Sequence, residues 1–186
     1  MKEVYKQSLL QGRKVRLMFQ DEGRCVRIWI HRRRINHPKR CWAPPGIRPE
    51  SSAQLVREYM YVYAAVSPHD GVLDSLILPE VNAEAMSIFL EEVSNRHAED
   101  FIIMVLDGAG WHRDKALKVP SNMKLIPLPP YSPQLNPIEN IREEIREKWF
   151  SNKVFRDLDS VIDTLTEALL SLENDTKRVH KIAGFK

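Results

Sequence analysis

Apolar and polar positions along the chain recur with two different periods, and these divide it into strands and helices. In Lys14–Asp21 (KVRLMFQD), Val15, Leu17 and Phe19 share one parity with Asp21, the period of two expected of a strand that carries an acid at its end. Gly23 predicts a turn, after which Val26, Ile28 and Ile30 resume the alternation as a second short strand. Tyr59–Ser67 and Val72–Leu78 flank Pro68-His69-Asp70-Gly71, which predicts an antiparallel hairpin. Asn82 is placed to cap a helix in which Met86, Phe89, Leu90 and Val93 fall on one face. Phe101–Leu106 is apolar throughout, as in a central strand covered on both faces, and runs directly into Asp107-Gly108. Met123–Leu128 reads as a further strand, stopped by Pro129, Pro130 and Pro133. Asn136-Pro137 is a helix start followed by the stripe Ile138, Ile141, Ile145 and Trp149. Asp157–Leu172 reads as a third amphipathic helix, and the basic tail beyond Asn174 reads as less ordered.

Strands come first and then alternate with helices, which predicts an α/β domain with a mixed sheet whose later strands are parallel. On such a sheet ligands gather at strand C-termini, so Asp21 and Asp107 are expected at one edge, within reach of Glu139 in the first turn of the following helix. The length of 186 residues suits one core, and residues 1–186 are read as a single domain with a loop insertion at about 31–57. There is no internal repeat.

Composition changes this picture little. The hydrophobic fraction of 43% and the charged fraction of 28% are those of an ordinary globular chain, which excludes a disordered or fibrous class. No apolar run approaches the roughly 18–20 residues of a membrane span, and no export signal is evident, so a cytoplasmic, nucleoid-associated protein is expected. Cys25 and Cys41 lack metal-site spacing. The net charge of +3 permits a polyanionic partner, and its distribution points to where one would bind. Arg32, Arg33, Arg34, Lys39 and Arg40 cluster in the segment from His31 to Pro49, with Trp42 nearby for stacking.

Asp21, Asp107 and Glu139 carry the candidate chemistry. Carboxylates are hard ligands for Mg²⁺ or Mn²⁺, and a cluster of them can hold two ions about 3.5–4 Å apart for phosphoryl transfer, with no protein nucleophile. Each acid also has a plain structural explanation. Asp21 fits a solvated strand end before Gly23. Asp107 is delivered by six apolar residues beside two glycines, which leaves its backbone open to a ligand. Asn136-x-x-Glu139 matches a capping box, in which the glutamate serves the helix N-terminus. His112 suits either a partly exposed helix start or a group that orients phosphate or water. The basic cluster suits either DNA phosphates or solvent.

Three segments in order, FQDE at Phe19–Glu22, LDGAGWH at Leu106–His112 and LPPYSPQLNPIE at Leu128–Glu139, resemble the mariner-like DDE transposases, and within them the bacterial insertion-sequence branch (family six-thirty). The similarity runs from about Lys14 to Leu172, includes WAPPGIRP at Trp42–Pro49, and leaves 31 residues between Asp107 and Glu139. It implies a ribonuclease H-like fold with a mixed five-stranded sheet and helices on both faces, in which Asp21, Asp107 and Glu139 hold two Mg²⁺ or Mn²⁺ ions and His112 assists. The implied activity is cutting double-stranded DNA at transposon ends and joining the 3′-hydroxyl to target DNA, by a homodimer. An inactive DNA-binding remnant, or a metal nuclease without strand transfer, are the alternatives. Family members usually carry an N-terminal helix-turn-helix region, whereas here about a dozen residues precede the first strand. Specific recognition of the ends is therefore not expected of this polypeptide alone: the chain reads as a catalytic half served by a separate helix-turn-helix polypeptide, as a fragment, or as a remnant. Gln134 stands where the family often has an acid, and Asn140-Ile141-Arg142 replaces a helix start that more usually contains an aromatic residue.

Overall fold

In the computed structural model the described residues are 12–26, 59–108, 116–129, 132–151, 153 and 155–184. Strands β1 (Lys14–Val26), β2 (Tyr59–Ser67), β3 (Val72–Leu78), β4 (Asp100–Leu106) and β5 (Met123–Pro127) form one sheet in the order β3-β2-β1-β4-β5. β1 and β2 are antiparallel, as are β2 and β3, whereas β4 runs parallel to both β1 and β5. Helix α1 (Ala83–Arg96) links β3 to β4, and α2 (Ile138–Ile145), α3 (Leu158–Glu173) and α4 (Thr176–Ala183) follow β5. This is the mixed α/β arrangement that the patterning predicts.

The period-two alternation sorts side chains onto two cores. Phe19, Val66, Phe101, Ile103 and Val105 face α2, α3 and α4. Met18, Tyr63, Ala65, Ile102 and Met104 face α1 through its Met86, Phe89, Leu90 and Val93. Helices therefore cover both faces, and β4 is apolar from Phe101 to Leu106 because neither of its faces meets water there. Asn82 caps α1 as expected, its Oδ1 accepting the Ala85 N–H at 2.8 Å. At the other end of α1, buried Asp74 of β3 accepts from Arg96 at 3.3 Å and pairs with His97 Nε2 at 2.7 Å.

Three expectations are corrected. Gly23 makes no turn: β1 continues through it to Val26, pairing Gly23 with Val62 of β2. The proposed second strand is thus the continuation of the first as far as Val26, while Ile28, Ile30 and the loop at about 31–57 lie outside the described residues. The stripe ending in Trp149 does not stay α-helical, because Arg146–Phe150 widens into a π-turn after Ile145. The tail beyond Asn174 is ordered as α4. Asp175 caps α4 by accepting the Arg178 N–H at 3.0 Å, and its Val179 and Ala183 are buried in the core. α4 packs so closely on the β2–β3 turn that a Cβ on Gly71 would stand 1.9 Å from the Thr176 carbonyl oxygen, and Gly71 also needs its positive φ of 70°. The amphipathic signal of an eight-residue helix was hidden by its many basic positions.

Candidate active site

Asp21 lies within β1 rather than at its end, opposite Ala64 of β2. The parallel pairing with β4 does stop nearby, at Phe19 and Val105, so beyond that pair β1 has β2 beside it but no ladder to β4. Carried on by two residues, the same register sets Asp21 level with Asp107, which directly follows Leu106, the last residue of β4, and is exposed. Asp21 has the parity of Phe19 and so turns to the face where α2 packs. The expectation that Asp21 ends its strand is thus corrected: β1 runs on to Val26, and it is the ladder to β4 that stops before Asp21.

Helix α2 is fixed to β1 by Asn136, which is buried. Its Nδ2 donates to the Gln20 carbonyl at 3.0 Å, and its Oδ1 accepts the Ile138 N–H at 3.3 Å. One side chain thus caps the helix and ties its first turn to the residue next to Asp21. The helical run begins at Ile138, with Pro137 in the flanking position at φ −60°. Glu139 lies in the first turn, yet its carboxylate does not serve the capping box. Both of its oxygens accept from Arg142 Nη1, at 3.1 and 3.0 Å.

Arg142 joins the two acids. Its Nη2 donates to Asp21 Oδ2 and, at 3.3 Å, to the Glu22 carbonyl. Asp21 and Glu139, distant in sequence, are brought onto one cation. The Asp21 side chain keeps 15% of its exposure, while those of Arg142 and Glu139 keep 38% each. Burial pushes the Asp21 carboxyl up to about 6, and the neighbouring charges of Glu139 and Glu22 add to this, against the lowering by Arg142 and by the Glu22 N–H that Asp21 Oδ1 accepts at 2.8 Å. Desolvation outweighs the ion pair here, since the acid sits deeper than the arginine that faces it.

These residues line a cleft of about 330 Å³ between β1, β2 and α2, floored by Val62, Ala64, Ile141 and Leu165. Gly23 keeps the cleft open: a Cβ there would stand 2.9 Å from Val62 Cγ1 and 3.7 Å from Arg142 Nε. Asp107 is not among the lining residues. Among the described residues no three His, Cys, Asp or Glu side chains already stand close enough together to hold a metal ion. The donor set nevertheless suits Mg²⁺ or Mn²⁺, because Asp21 and Glu139 offer hard oxygens that already converge on a positive charge. His112 and the basic residues Arg32, Arg33, Arg34, Lys39 and Arg40 lie outside the described residues. Arg142, the tie from Asn136 to Gln20 and the spacing role of Gly23 were not read from the sequence. The departure at Asn140-Ile141-Arg142 was the one signal that pointed to the first of them.

Residues 27–162 match the DDE superfamily endonuclease family. The uncharacterized protein y4pE/y4sA of Sinorhizobium fredii (strain NBRC 101917 / NGR234) is 42% identical over 106 residues, which make up 56% of this chain and 78% of that protein. Among solved structures, the Mos1 mariner paired end complex with Mn superposes with a TM-score of 0.63 at 20% identity, covering 90% of this chain and 52% of that one. The Mos1 transposase paired-end complex with left transposon end gives a TM-score of 0.60 at 16% identity, covering 98% of this chain and 60% of that one. The chain thus spans between about half and six-tenths of the Mos1 chains it matches. At these identities the likeness shows a shared fold, the ribonuclease H-like one.

Proposed function

Because the chain belongs to the DDE superfamily endonuclease family, we propose that it is the catalytic domain of a transposase, of the bacterial insertion-sequence branch, that cuts double-stranded DNA at transposon ends and joins the freed 3′-hydroxyl to target DNA. The observation that carries the reading is the convergence of Asp21 from β1 and Glu139 from α2 on one cation, beside the point where β1 and β4 part. Asp107, level with Asp21 by register, is assigned as the third acid, and His112 as an assisting group. Bound Mg²⁺ or Mn²⁺, two ions in this reading, supplies Lewis-acid polarisation of the scissile phosphate and eases deprotonation of the attacking group.

The chain's own residues then have separate tasks. Asp21 and Glu139 would hold the ion, and the buried Asn136 fixes their separation by binding α2 to β1. The apolar floor of Val62, Ala64 and Ile141 keeps bulk water from the inner side of the acids. Arg32, Arg33, Arg34, Lys39 and Arg40 are assigned to the DNA backbone, where contacts give affinity without sequence preference. Mos1 in complex with transposon-end DNA supports DNA as the partner, and its Mn and Mg complexes support the choice of ions. Action as a homodimer completes the proposal.

The test is nicking of supercoiled plasmid by the purified chain with Mg²⁺ or Mn²⁺, beside Asp107→Asn and Glu139→Gln and an EDTA control. We expect metal-dependent nicking that falls by roughly a hundredfold or more in both variants, as when a group that stabilises the transition state is removed. Equal nicking by all three proteins overturns the site assignment. A wild type as inert as its variants favours a DNA-binding remnant.

A further inference from the structure

We propose that Arg142 is a built-in counter-ion that competes with divalent metal for the carboxylates, so that an ion is admitted only as the guanidinium leaves. This rests on the reading of Asp21 and Glu139 as metal ligands. Four acceptors meet on the one guanidinium: both Glu139 oxygens, Asp21 Oδ2 and the Glu22 carbonyl. The contact with Glu139 alone is an ordinary i,i+3 helix pair of small consequence. The second arm is different, because it crosses from α2 to a largely buried acid on the sheet and so occupies the space between the two carboxylates.

Three features make this a competition rather than a shared site. Three of the four carboxylate oxygens, both of Glu139 and Oδ2 of Asp21, accept from Arg142, so an ion placed between the two acids meets the guanidinium in the space it would fill. Arginine stays protonated at every accessible pH, so it cannot yield by losing its proton and would repel a dication at such short range. The side chain also has a way out, because it keeps 38% of its exposure and so borders solvent. A guanidinium that swings away from the acids remains at the mouth of the cleft, where a DNA phosphate is the natural alternative anion.

The experiment is calorimetric titration of Mn²⁺ into the DNA-free chain, comparing wild type, Arg142→Gln, Arg142→Lys and the double variant Arg142→Gln/Asp21→Asn, with melting curves in EDTA to confirm folding. We expect Arg142→Gln to bind Mn²⁺ about tenfold more tightly than wild type, a difference of ~1.4 kcal/mol. Arg142→Lys keeps the charge and should stay within about threefold of wild type. Adding Asp21→Asn to Arg142→Gln should abolish the tight site. If Arg142→Gln fails to fold, Arg142→Met, which keeps an aliphatic stem over Gly23, carries the same expectation. Unchanged or weaker Mn²⁺ binding by the folded neutral variants overturns the proposal, as does Arg142→Lys tightening as much as Arg142→Gln. Tight binding that survives Asp21→Asn means that Mn²⁺ sits elsewhere, and then the metal-ligand reading itself fails.

Discussion

Asp21 is held between two opposing demands, and its protonation shows which prevails. In the folded chain its pKa is raised from 3.8 to about 6, chiefly by burial, despite the arginine facing it. The folded state therefore retains a proton that the unfolded state has lost, and stability from this group falls as pH rises from about 4 to 6. Asparagine imitates the neutral acid. In metal-free buffer Asp21→Asn should melt several degrees above wild type at pH 7.5, a gain of up to about 3 kcal/mol, and the advantage should vanish near pH 4. Melting below wild type at pH 7.5 would mean that the Arg142 ion pair outweighs burial. The sequence showed the acids at Asp21, Asp107 and Glu139 through the strand and helix patterns that deliver them. It did not show Arg142 as part of the group. Its position beside the Ile138, Ile141, Ile145 stripe is that of any solvated helix residue, and its partner Asp21 belongs to a strand remote in the chain.

At the scale of elements, the seam between β1 and α2 sets the separation of the two acids, and Asn136 is its fastening. Asn136→Ala should cost roughly 1–3 kcal/mol in urea unfolding, because it leaves a buried carbonyl on Gln20 and a helix N–H without partners. It should also lower nicking at least tenfold by letting Glu139 drift. Asn136→Asp keeps the acceptor for Ile138 but turns a buried carboxylate onto the Gln20 carbonyl, so at pH 7.5 it should be at least as destabilising as Asn136→Ala. Nicking that is unchanged in a destabilised Asn136→Ala would show that Asn136 does not position Glu139. The helix start at Asn136-Pro137 was legible because capping is a local signal. The bond to Gln20 was not, since a cap residue's second hydrogen bond depends on what the fold places against it. Gly23 and α4 failed for related reasons. A glycine reads as a turn unless its neighbour across the ladder is known, and α4 earns its order from burial of only Val179 and Ala183 against the β2–β3 hairpin.

At the scale of the whole molecule, one sheet separates two cores that share no side chains. Leu90 of α1 lies in one and Leu165 of α3 in the other, both almost wholly buried. Leu90→Ala and Leu165→Ala should each cost about 2–5 kcal/mol, and the double variant should cost their sum to within about 0.5 kcal/mol, as measured by urea unfolding. A larger departure would show that the sheet transmits strain from face to face. The mixed sheet with two covered faces was legible from period and element order, because a strand apolar on both sides can only be interior. The strand order has a further consequence, for how the chain is made. β1 precedes the other four strands in sequence yet lies at the centre of the sheet. Each later strand joins a free edge, β2 and β3 outward on one side and β4 then β5 on the other, so none must be threaded between two already zipped. A chain leaving the ribosome from its N-terminus can assemble this sheet in the order of its synthesis. The edge of β1 that waits for β4 is the surface a nascent chain would need shielded longest.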